Sequence, residues 1–435
     1  MGIPKDRRRI VVAVAALLVA GLAAATVYRV LAPAEVVTVA RGERPPAVDP
    51  EVGPVGRFST APLIVDGRLR VYATTRQVWA DEPVDDRQRN TPYWSYRRWP
   101  AQLSGVLAAG TTVVSRWSDG RLVAIDAVTG RVAWRTDAPA PQEGYTGRRT
   151  GAETVWHPRG LHTATGRGGG TVVVVVGDRQ VQGTDLTTGR RLWRIDVDPG
   201  CRTDVGTTVA GRLATLDRCA GGPVVEFRDV ATGTVTERWS PPGAGAEVTV
   251  TPTGCATARS DCGGLYVAES GIGGQGTGGA ANEDGGRGWL VDAGAPVAAL
   301  GLDRAGTVLA GKVGVSVEGG VVIARSALTG DEVWRRTDLG PQTTVVAAQP
   351  GGVHLLTGEK DLVTLDPADG VERSRFRLTV GRDGTGWTPG LGYAADGYVG
   401  LERLRTPVDA AGNDQRYFAM AEPVVLAAVD RGAEG

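Results

Sequence analysis

A turn followed by an aromatic residue recurs along this chain, and this repeat restricts the fold more than any other feature. Two clear copies share one spacing of an Asp, a Thr-Gly pair and a Trp: Asp126-x-x-Thr129-Gly130-x-x-x-Trp134 and Asp185-x-x-Thr188-Gly189-x-x-x-Trp193. Weaker copies keep only part of the pattern: Thr232-Gly233 with Trp239, Thr329-Gly330 with Trp334, and Asp369-Gly370 with Phe376. A repeat of this kind predicts one structural unit per copy.

Each copy has the pattern of a β-hairpin. Apolar and polar residues alternate before the turn, the Asp opens the turn, and the Gly suits a position with positive φ. A second alternating run then ends at the aromatic residue. Further β-rich runs lie upstream of the copies, at 110–115, 171–176, 307–310 and 351–356. Each unit therefore supplies about four short strands, and we expect its aromatic residue to dock on the next unit.

The spacing of the turns predicts how many units the chain forms. The interval from Gly233 to Gly330 is about twice the others, so we expect a degenerate unit there, including 264–268 and 288–292. A last sheet from 397–404 and 417–429 brings the expected number to seven, with eight as the alternative. We expect Thr60 to Thr74 to pair with those C-terminal strands and close the ring.

The Asp-x-x-Thr-Gly-x-x-x-Trp pattern resembles the tryptophan-docking repeat of the PQQ-like propellers, the quinoprotein dehydrogenase and BamB-like families. The resemblance covers roughly residues 60 to 430. It implies an all-β chain, a β-propeller of about seven, or alternatively eight, four-stranded blades. The residues that it assigns to docking between blades are Asp126, Gly130, Trp134, Asp185, Gly189, Trp193, Gly233, Trp239, Gly330 and Trp334.

The same resemblance raises an enzyme alternative, a quinone (PQQ)-dependent dehydrogenase. Such enzymes hold the quinone over the propeller axis with Ca²⁺ and a catalytic Asp, often beside a disulfide between adjacent cysteines. This chain has no adjacent cysteines, and its only Asn residues are Asn90, Asn282 and Asn413. The sequence therefore assigns no catalytic, cofactor-binding or metal residue, and PQQ with Ca²⁺ is expected only under this alternative.

The N-terminal residues predict export. Four basic residues, Lys5, Arg7, Arg8 and Arg9, precede the uncharged run Ile10 to Tyr28. A helix of that length spans about 30 Å, the thickness of the bilayer's hydrocarbon core, and the basic end stays in the cytoplasm. We expect a cytoplasmic tail over 1–9 and a transmembrane anchor over 10–31. The alternative is a signal peptide cleaved at the small residues 23–25, which would give a secreted protein.

The rest of the chain divides simply. Residues 32–57 are rich in Pro, Val and charge, which predicts a linker. The propeller is expected over 58–430 and a short tail over 431–435.

The cysteines agree with an exported protein. Cys201, Cys219, Cys255 and Cys262 allow three pairings. The local pairing, Cys201 with Cys219 and Cys255 with Cys262, is favoured because it closes short loops. A zinc site is disfavoured because neither Cys-x-x-Cys pairs nor intercalated His occur.

Three further segments have an ordinary interpretation that outweighs a functional one. His157 and His162 flank a polar loop, where an exposed pair is favoured over metal ligands. The acidic residues Asp81, Glu82, Asp85 and Asp86 lack the spacing of a calcium loop and predict a solvated loop. The glycine-rich run 271–288 predicts a flexible excursion between strands.

One segment is a candidate binding surface. It combines aromatic residues and arginines between two prolines, in what reads as a long connection: Tyr93, Trp94, Tyr96, Arg97, Arg98 and Trp99. Aromatic residues and Arg are enriched at interaction hot spots. An equal alternative is that these rings plug the propeller axis or cover a blade edge. A second long connection, 139–170, holds Tyr145, Arg148, Arg149 and Trp156, and we expect the two to form one surface if they project from one face.

The sequence thus favours a non-enzymatic, extracytoplasmic scaffold tethered to the cytoplasmic membrane. Its expected partner is an unidentified envelope or membrane protein, or another envelope component, and the propeller is expected to be monomeric. A net charge of +0 gives no attraction to nucleic acid. Besides the dehydrogenase, a ligand sensor that signals through a separate partner is a further alternative.

Overall fold

The computed structural model describes residues 13–23, 34–48, 50–87, 89–141, 150–219, 221–243, 245, 247–269, 286–379, 386–405 and 421–430. Residues 13–23 are helical and exposed throughout. Among the described residues, no helix is both long enough and apolar enough to cross a membrane. The remainder is almost entirely antiparallel β-structure, which confirms the predicted all-β class.

Strands of the first four units follow one another along the chain. Unit 1 has β3 (Leu63–Val65), β4 (Leu69–Thr74), β5 (Gln77–Asp81) and β6 (Trp94–Trp99), with β1 (Ala34–Thr38) as a fifth strand. Unit 2 has β7 (Leu103–Ala109), β8 (Thr112–Trp117), β9 (Arg121–Asp126) and β10 (Val132–Asp137). Unit 3 has β11 (Leu161–Thr165), β12 (Thr171–Val176), β13 (Gln180–Asp185) and β14 (Arg191–Asp196). Unit 4 has β15 (Arg202–Thr208), β16 (Arg212–Asp217), β17 (Val224–Asp229) and β18 (Val235–Trp239).

The second four units repeat this order with more variation. Unit 5 has β19 (Val248–Thr257), β20 (Ser260–Glu269), β21 (Arg287–Leu290) and β22 (Val297–Ala298), followed by a 3₁₀ turn, Leu300–Leu302. Unit 6 has β23 (Val308–Ala310), β24 (Val313–Glu318), β25 (Val321–Ser326) and β26 (Glu332–Arg336). Unit 7 has β27 (Thr344–Gln349), β28 (Gly352–Leu356), β29 (Asp361–Leu365) and β30 (Glu372–Arg377). Unit 8 has β31 (Thr388–Ala395), β32 (Tyr398–Leu404), β33 (Ala421–Ala428) and β2 (Gly53–Phe58).

Neighbouring units pack face to face into a closed ring. Their first strands touch in chain order, from β3 beside β7 to β27 beside β31. The ring closes between units 8 and 1, where the Ile64 amide donates to the Tyr393 hydroxyl at 3.2 Å and the Gly67 amide donates to Asp396 at 3.1 Å. This arrangement of four-stranded sheets fits a β-propeller.

The core lies between the sheets, so middle strands are buried on both faces. The strand β12 reads TVVVVV, and its five valines are all less than a twentieth exposed. Its sequence is therefore a continuous apolar run, whereas a strand buried on one face only would alternate apolar and polar residues.

The closing strand differs from the prediction. The strands of the described residues form seven hydrogen-bonded sheets, one of which holds the eight strands of units 4 and 5. Thr60 to Thr74 does not pair with the C-terminal strands, because residues 63–74 belong to unit 1. Instead β2 lies beside β33 and completes unit 8, with Phe58 fully buried.

The predicted linker 32–57 is corrected in the same way. Its residues include β1, which pairs with β6, and most of β2, so the chain is held to units 1 and 8 rather than hanging free. Between the two strands, Ala40 donates to the Thr129 carbonyl at 2.9 Å, and Arg68 donates to the Pro45 carbonyl at 2.8 Å.

Candidate functional site

The repeated Asp-x-x-Thr-Gly turn is built from its own side chains. In unit 3, the Asp185 carboxylate accepts hydrogen bonds from the Thr188 amide and hydroxyl, each at 2.7 Å. The Gly189 amide donates to the Asp185 carbonyl at 2.9 Å, and Gly189 has φ of 71°. Asp, Thr and Gly at this spacing therefore close one tight turn.

A tryptophan from the preceding unit covers each such turn. An added Cβ at Gly189 would lie 2.6 Å from the Trp134 ring, so only Gly admits the indole. The Trp134 indole also donates to the carbonyl of Leu186 at 2.7 Å. We call this contact the tryptophan lock. In described residues it recurs at 2.6 to 2.9 Å in three other pairs: Trp94 with Ala127, Trp193 with Val230, and Trp334 with Pro367.

Other predicted docking residues make different contacts. The ring of Trp239 meets Trp289 edge-on, with centroids 4.8 Å apart, and Leu300 rather than a tryptophan covers Gly330. At the first junction, by contrast, Trp94 covers Gly130. The sequence pattern instead assigns that tryptophan to the candidate binding surface.

The candidate binding surface is therefore corrected. Tyr93 to Trp99 is not a long connection, because Trp94 to Trp99 form the strand β6 and Tyr93 directly precedes it. Alternate residues of this strand face unit 2 and the opposite side. Trp94 and Tyr96 are buried, and Tyr93 donates to the Val128 carbonyl at 2.7 Å. Arg98 pairs with Asp119. Arg97 is exposed and Trp99 half-buried, so these two alone remain on the surface facing away from unit 2.

The second connection lies on the inner side of the ring instead. Its helix Ala152–Trp156, here the plug helix, contacts strands of units 1, 2 and 8. The Trp156 ring stacks on Tyr393 with centroids 5.5 Å apart, and its indole donates to the Pro62 carbonyl at 2.7 Å. The two connections thus do not form one surface. Tyr145, Arg148 and Arg149 lie outside the described residues.

The long hairpin β19–β20, here the central hairpin, occupies another part of the inner side. The Thr163 amide of unit 3 donates to Ser260 at 3.0 Å, and the Thr207 amide of unit 4 donates to the Arg259 carbonyl at 2.9 Å. Toward unit 6, Gly254 lies against Leu309, and β19 also touches β31 of unit 8. The central hairpin therefore ties together several innermost strands.

Both disulfides have the local pairing favoured by the sequence. Cys201 bonds to Cys219, which joins the start of β15 to the end of β16. Cys255 bonds to Cys262 directly across the central hairpin. The described residues hold no free cysteine.

The family comparison agrees with the tryptophan locks. The sequence model of the family described as outer membrane protein assembly factor BamB matches residues 51–154 and 97–239. Residues 51–239 are therefore similar to the PQQ-like, BamB-like repeats. No curated protein sequence matches the chain.

The chain is also similar to solved structures. BamB from Moraxella catarrhalis aligns over 92% of this chain and 99% of its own, with 14% identity and a TM-score of 0.43. Dihydro-heme d1 dehydrogenase NirN in complex with DHE aligns over 73% of this chain and 66% of its own, with 13% identity and a TM-score of 0.41.

The units also bury a hydrogen-bonded His–Asp pair that the sequence did not reveal. His162 is not an exposed loop residue but lies fully buried in β11, and its Nε2–H donates to both Asp204 oxygens at 2.9 Å. Burial raises the pKa of Asp204, but the charge and hydrogen bond of His162 outweigh it and hold that pKa below its usual value. His157 lies apart, 3.4 Å from the Gly392 carbonyl.

Next to this pair, Arg116 links units 2 and 3. It is 1% exposed, and its guanidinium donates to the carbonyls of Pro139, Arg159, Gly160 and Val176. Burial lowers the pKa of Arg116 to about 10. An Arg close to the apolar pair Val113-Val114 in strand β8 was the available sequence signal, since a buried Arg must find buried partners.

The remaining candidate segments make structural contacts. Asp85 of the acidic cluster pairs with buried Arg70 at 3.1 Å and with Arg89 at 3.0 Å, so the cluster is not a free solvated loop. Burial lowers the pKa of His354 to about 3, and this neutral ring accepts a hydrogen bond from Gln349 at 2.9 Å. Residues 271–285 of the glycine-rich run lie outside the described residues. In the described part of the chain, no three His, Cys, Asp or Glu side chains form a metal-binding group.

Proposed function

We propose that this chain is a non-enzymatic scaffold, held at the outer face of the cytoplasmic membrane by its N-terminal segment. Its outer surface binds a protein of the membrane or the cell envelope. The matched family is described as an outer membrane protein assembly factor, a role exercised on other proteins. That description supports protein binding as the class of activity.

The observation that carries the proposal is the occupied inner side of the ring. The plug helix inserts Trp156 between units 1 and 8, and the central hairpin lies against units 3, 4 and 6. The place where a propeller usually holds a small ligand is thus partly taken by the chain's own residues. The outer strands and the loops remain as the surfaces for a partner, and rigid scaffolds commonly bind through such surfaces.

The helical residues 13–23 support the tether. Leu17, Leu18 and Val19 are 73%, 63% and 66% exposed, so they contact no other part of the fold extensively. Apolar side chains left uncovered mark an interaction site, and burial in lipid would remove them from water. The basic residues before Ile10 support a cytoplasmic N-terminus.

The test is crosslinking in intact membranes with the full chain, followed by co-purification. The variant Leu18→Asp with Val19→Asp places two carboxylates in the apolar segment, each costing about 3 kcal/mol in the bilayer centre. We expect it to leave the membrane fraction and to lose the crosslinked partner. The matched control, Leu18→Ile with Val19→Ile, keeps the segment apolar and should retain both.

Two results would count against the proposal. A double Asp variant that stays in the membrane fraction contradicts the tether. A small molecule that co-purifies with the chain, without any enriched protein, contradicts the scaffold and favours the dehydrogenase or sensor alternative.

A further inference from the structure

The strand β1 creates a distinctive outer edge on unit 1. It pairs antiparallel with β6, so Ala34 lies opposite Trp99 and Val36 lies opposite Arg97. Directly opposite residues in such a pair share one face of the sheet. Val36 is 57% exposed and Trp99 is half-buried. The outer edge therefore presents an apolar and aromatic surface beside the point where the chain enters the propeller.

Two arginines on this edge have no carboxylate partner among the described residues. The Arg76 guanidinium lies 3.8 Å from the centre of the Trp99 ring, and Arg97 donates to the Gln77 side-chain oxygen at 2.9 Å. Arg98, on the opposite face of the same strand, pairs with Asp119 at 2.8 Å. We call Val36, Arg76, Arg97 and Trp99 the edge face. No carboxylate of the described part of the chain pairs with either of its arginines.

The length of the chain places the edge face near the membrane. Six residues lead from Tyr28, the end of the uncharged run, to Ala34, the first residue of β1. Six residues span at most about 20 Å. A headgroup layer is roughly 5 to 8 Å thick on each side of the hydrocarbon core. With the uncharged run in a bilayer, β1 and the neighbouring Trp99 lie within reach of the headgroups.

We infer that the edge face binds the membrane surface, with Arg76 and Arg97 on anionic phospholipid headgroups and Trp99 at the interface. Trp is enriched at membrane–water interfaces because its ring is amphipathic, and Arg is attracted to anionic lipids. The propeller is thereby held edge-on, with unit 1 against the lipid and unit 5, across the ring, farthest from it. This inference rests on the proposed membrane tether.

The test compares two labelled positions in the full chain, reconstituted in vesicles of phosphatidylcholine and phosphatidylglycerol. Val36→Cys reports on the edge face, and Val297→Cys, at a valine 54% exposed, reports on unit 5. The native cysteines are paired in disulfides and do not react with a maleimide fluorophore. A lipid with a spin-labelled headgroup then quenches only fluorophores at the membrane surface.

We expect the label at position 36 to be quenched several-fold more than the label at 297. Arg76→Gln with Arg97→Gln should reduce the docked population by about fivefold for each arginine at low salt. Arg191→Gln with Arg194→Gln, on the exposed outer strand of unit 3, should change nothing, and unchanged thermal midpoints would show that both variants fold.

Equal quenching at 36 and 297, in chains that float with the vesicles, would overturn the edge-on contact while leaving the tether intact. Quenching that survives the loss of both edge arginines would overturn their role. Chains that do not float with the vesicles would overturn the tether itself, and this inference with it.

Discussion

The two halves of the ring are joined by different means. In the half matched by the family model, units 1 to 4 are joined by three tryptophan locks, those of Trp94, Trp134 and Trp193. In the described part of the other half, only Trp334, between units 6 and 7, makes this contact. The remaining junctions there use contacts that do not repeat.

The substitutes in the second half show what a junction requires. Between units 4 and 5, Trp239 meets Trp289, and β15 pairs with β20 so that two sheets become one. Between units 5 and 6, Leu300 covers the turn at Gly330. Each substitute buries apolar surface and satisfies backbone groups, as the lock does, but with other residues. The ring therefore tolerates loss of the repeat wherever other contacts join the two neighbouring units.

The largest expected effect comes from removing a tryptophan lock, which tests whether junctions with the lock are more stable than junctions without it. Trp193→Ala leaves a cavity beside Gly233 and an unpaired Val230 carbonyl, so we expect a loss of about 3 to 5 kcal/mol in the free energy of unfolding. Trp239→Ala, at a half-buried ring without that hydrogen bond, should cost about half as much. Chemical denaturation of both variants measures the difference. Equal losses would mean that the lock adds nothing to ordinary packing.

A buried carboxylate offers the next largest effect. Glu226 accepts hydrogen bonds from Arg202, Arg228 and Arg238, and although burial raises its pKa, these charges lower it to about 2. A lowered folded-state pKa means that the stabilisation is complete above pH of about 4.3 and is lost as the pH falls towards 2. Glu226→Gln should cost about 3 kcal/mol at pH 7, because three arginines lose the carboxylate that they share.

The control for Glu226 lies in unit 6. Glu332 forms an exposed pair with Arg335, and Glu332→Gln should leave the unfolding midpoint unchanged. Denaturation at pH 7 and near pH 2 checks both variants. A Glu226→Gln loss that is the same at both pH values would contradict the charge-pair explanation.

Each half of the ring has one disulfide, and the two restrict the unfolded chain to different extents. Cys201–Cys219 closes 18 residues and Cys255–Cys262 closes 7. Loop-closure entropy predicts that paired Ser substitutions cost about 3 kcal/mol for the first and about 2 kcal/mol for the second. Thermal unfolding of each double variant measures this order. A reversed order would show that the central hairpin depends on its disulfide for native contacts as well.

The smallest expected effect is an increase in the free energy of unfolding. Burial raises the pKa of Asp261, at the tip of the central hairpin, to about 6. A raised folded-state pKa makes the carboxylate destabilising as the pH rises from about 4 to 6. Asp261→Asn should therefore stabilise the protein by about 1 kcal/mol at pH 7 and by nothing near pH 4, with solvent screening limiting the gain. Asn also tolerates the positive φ of 52° found there. A loss at pH 7 would mean that the carboxylate has a favourable partner.

The sequence predicted those parts of the fold that repeat. The turns at Asp126 and Asp185 and the tryptophans after them identify the strand hairpins and their docking because local chemistry alone builds them. The hairpin that contains Trp94 carries no Thr-Gly turn, so the repeat pattern does not indicate a strand at β6. His162 and Asp204 are distant in the sequence, as are Trp156 and Tyr393. Sequence patterns therefore do not indicate the contacts that these residues make in the closed ring.

The central claim, that partners bind the outer surface of an internally occupied ring, can be tested by placing a photoreactive phenylalanine at single positions of the full chain in its native membrane. Exposed outer positions include Val37, Val333 and Val371, and Tyr393 beside the plug helix is the inner position. We predict protein adducts from at least one outer position and none from Tyr393. Adducts from Tyr393 alone would contradict the claim and show that the inner side of the ring is the binding site.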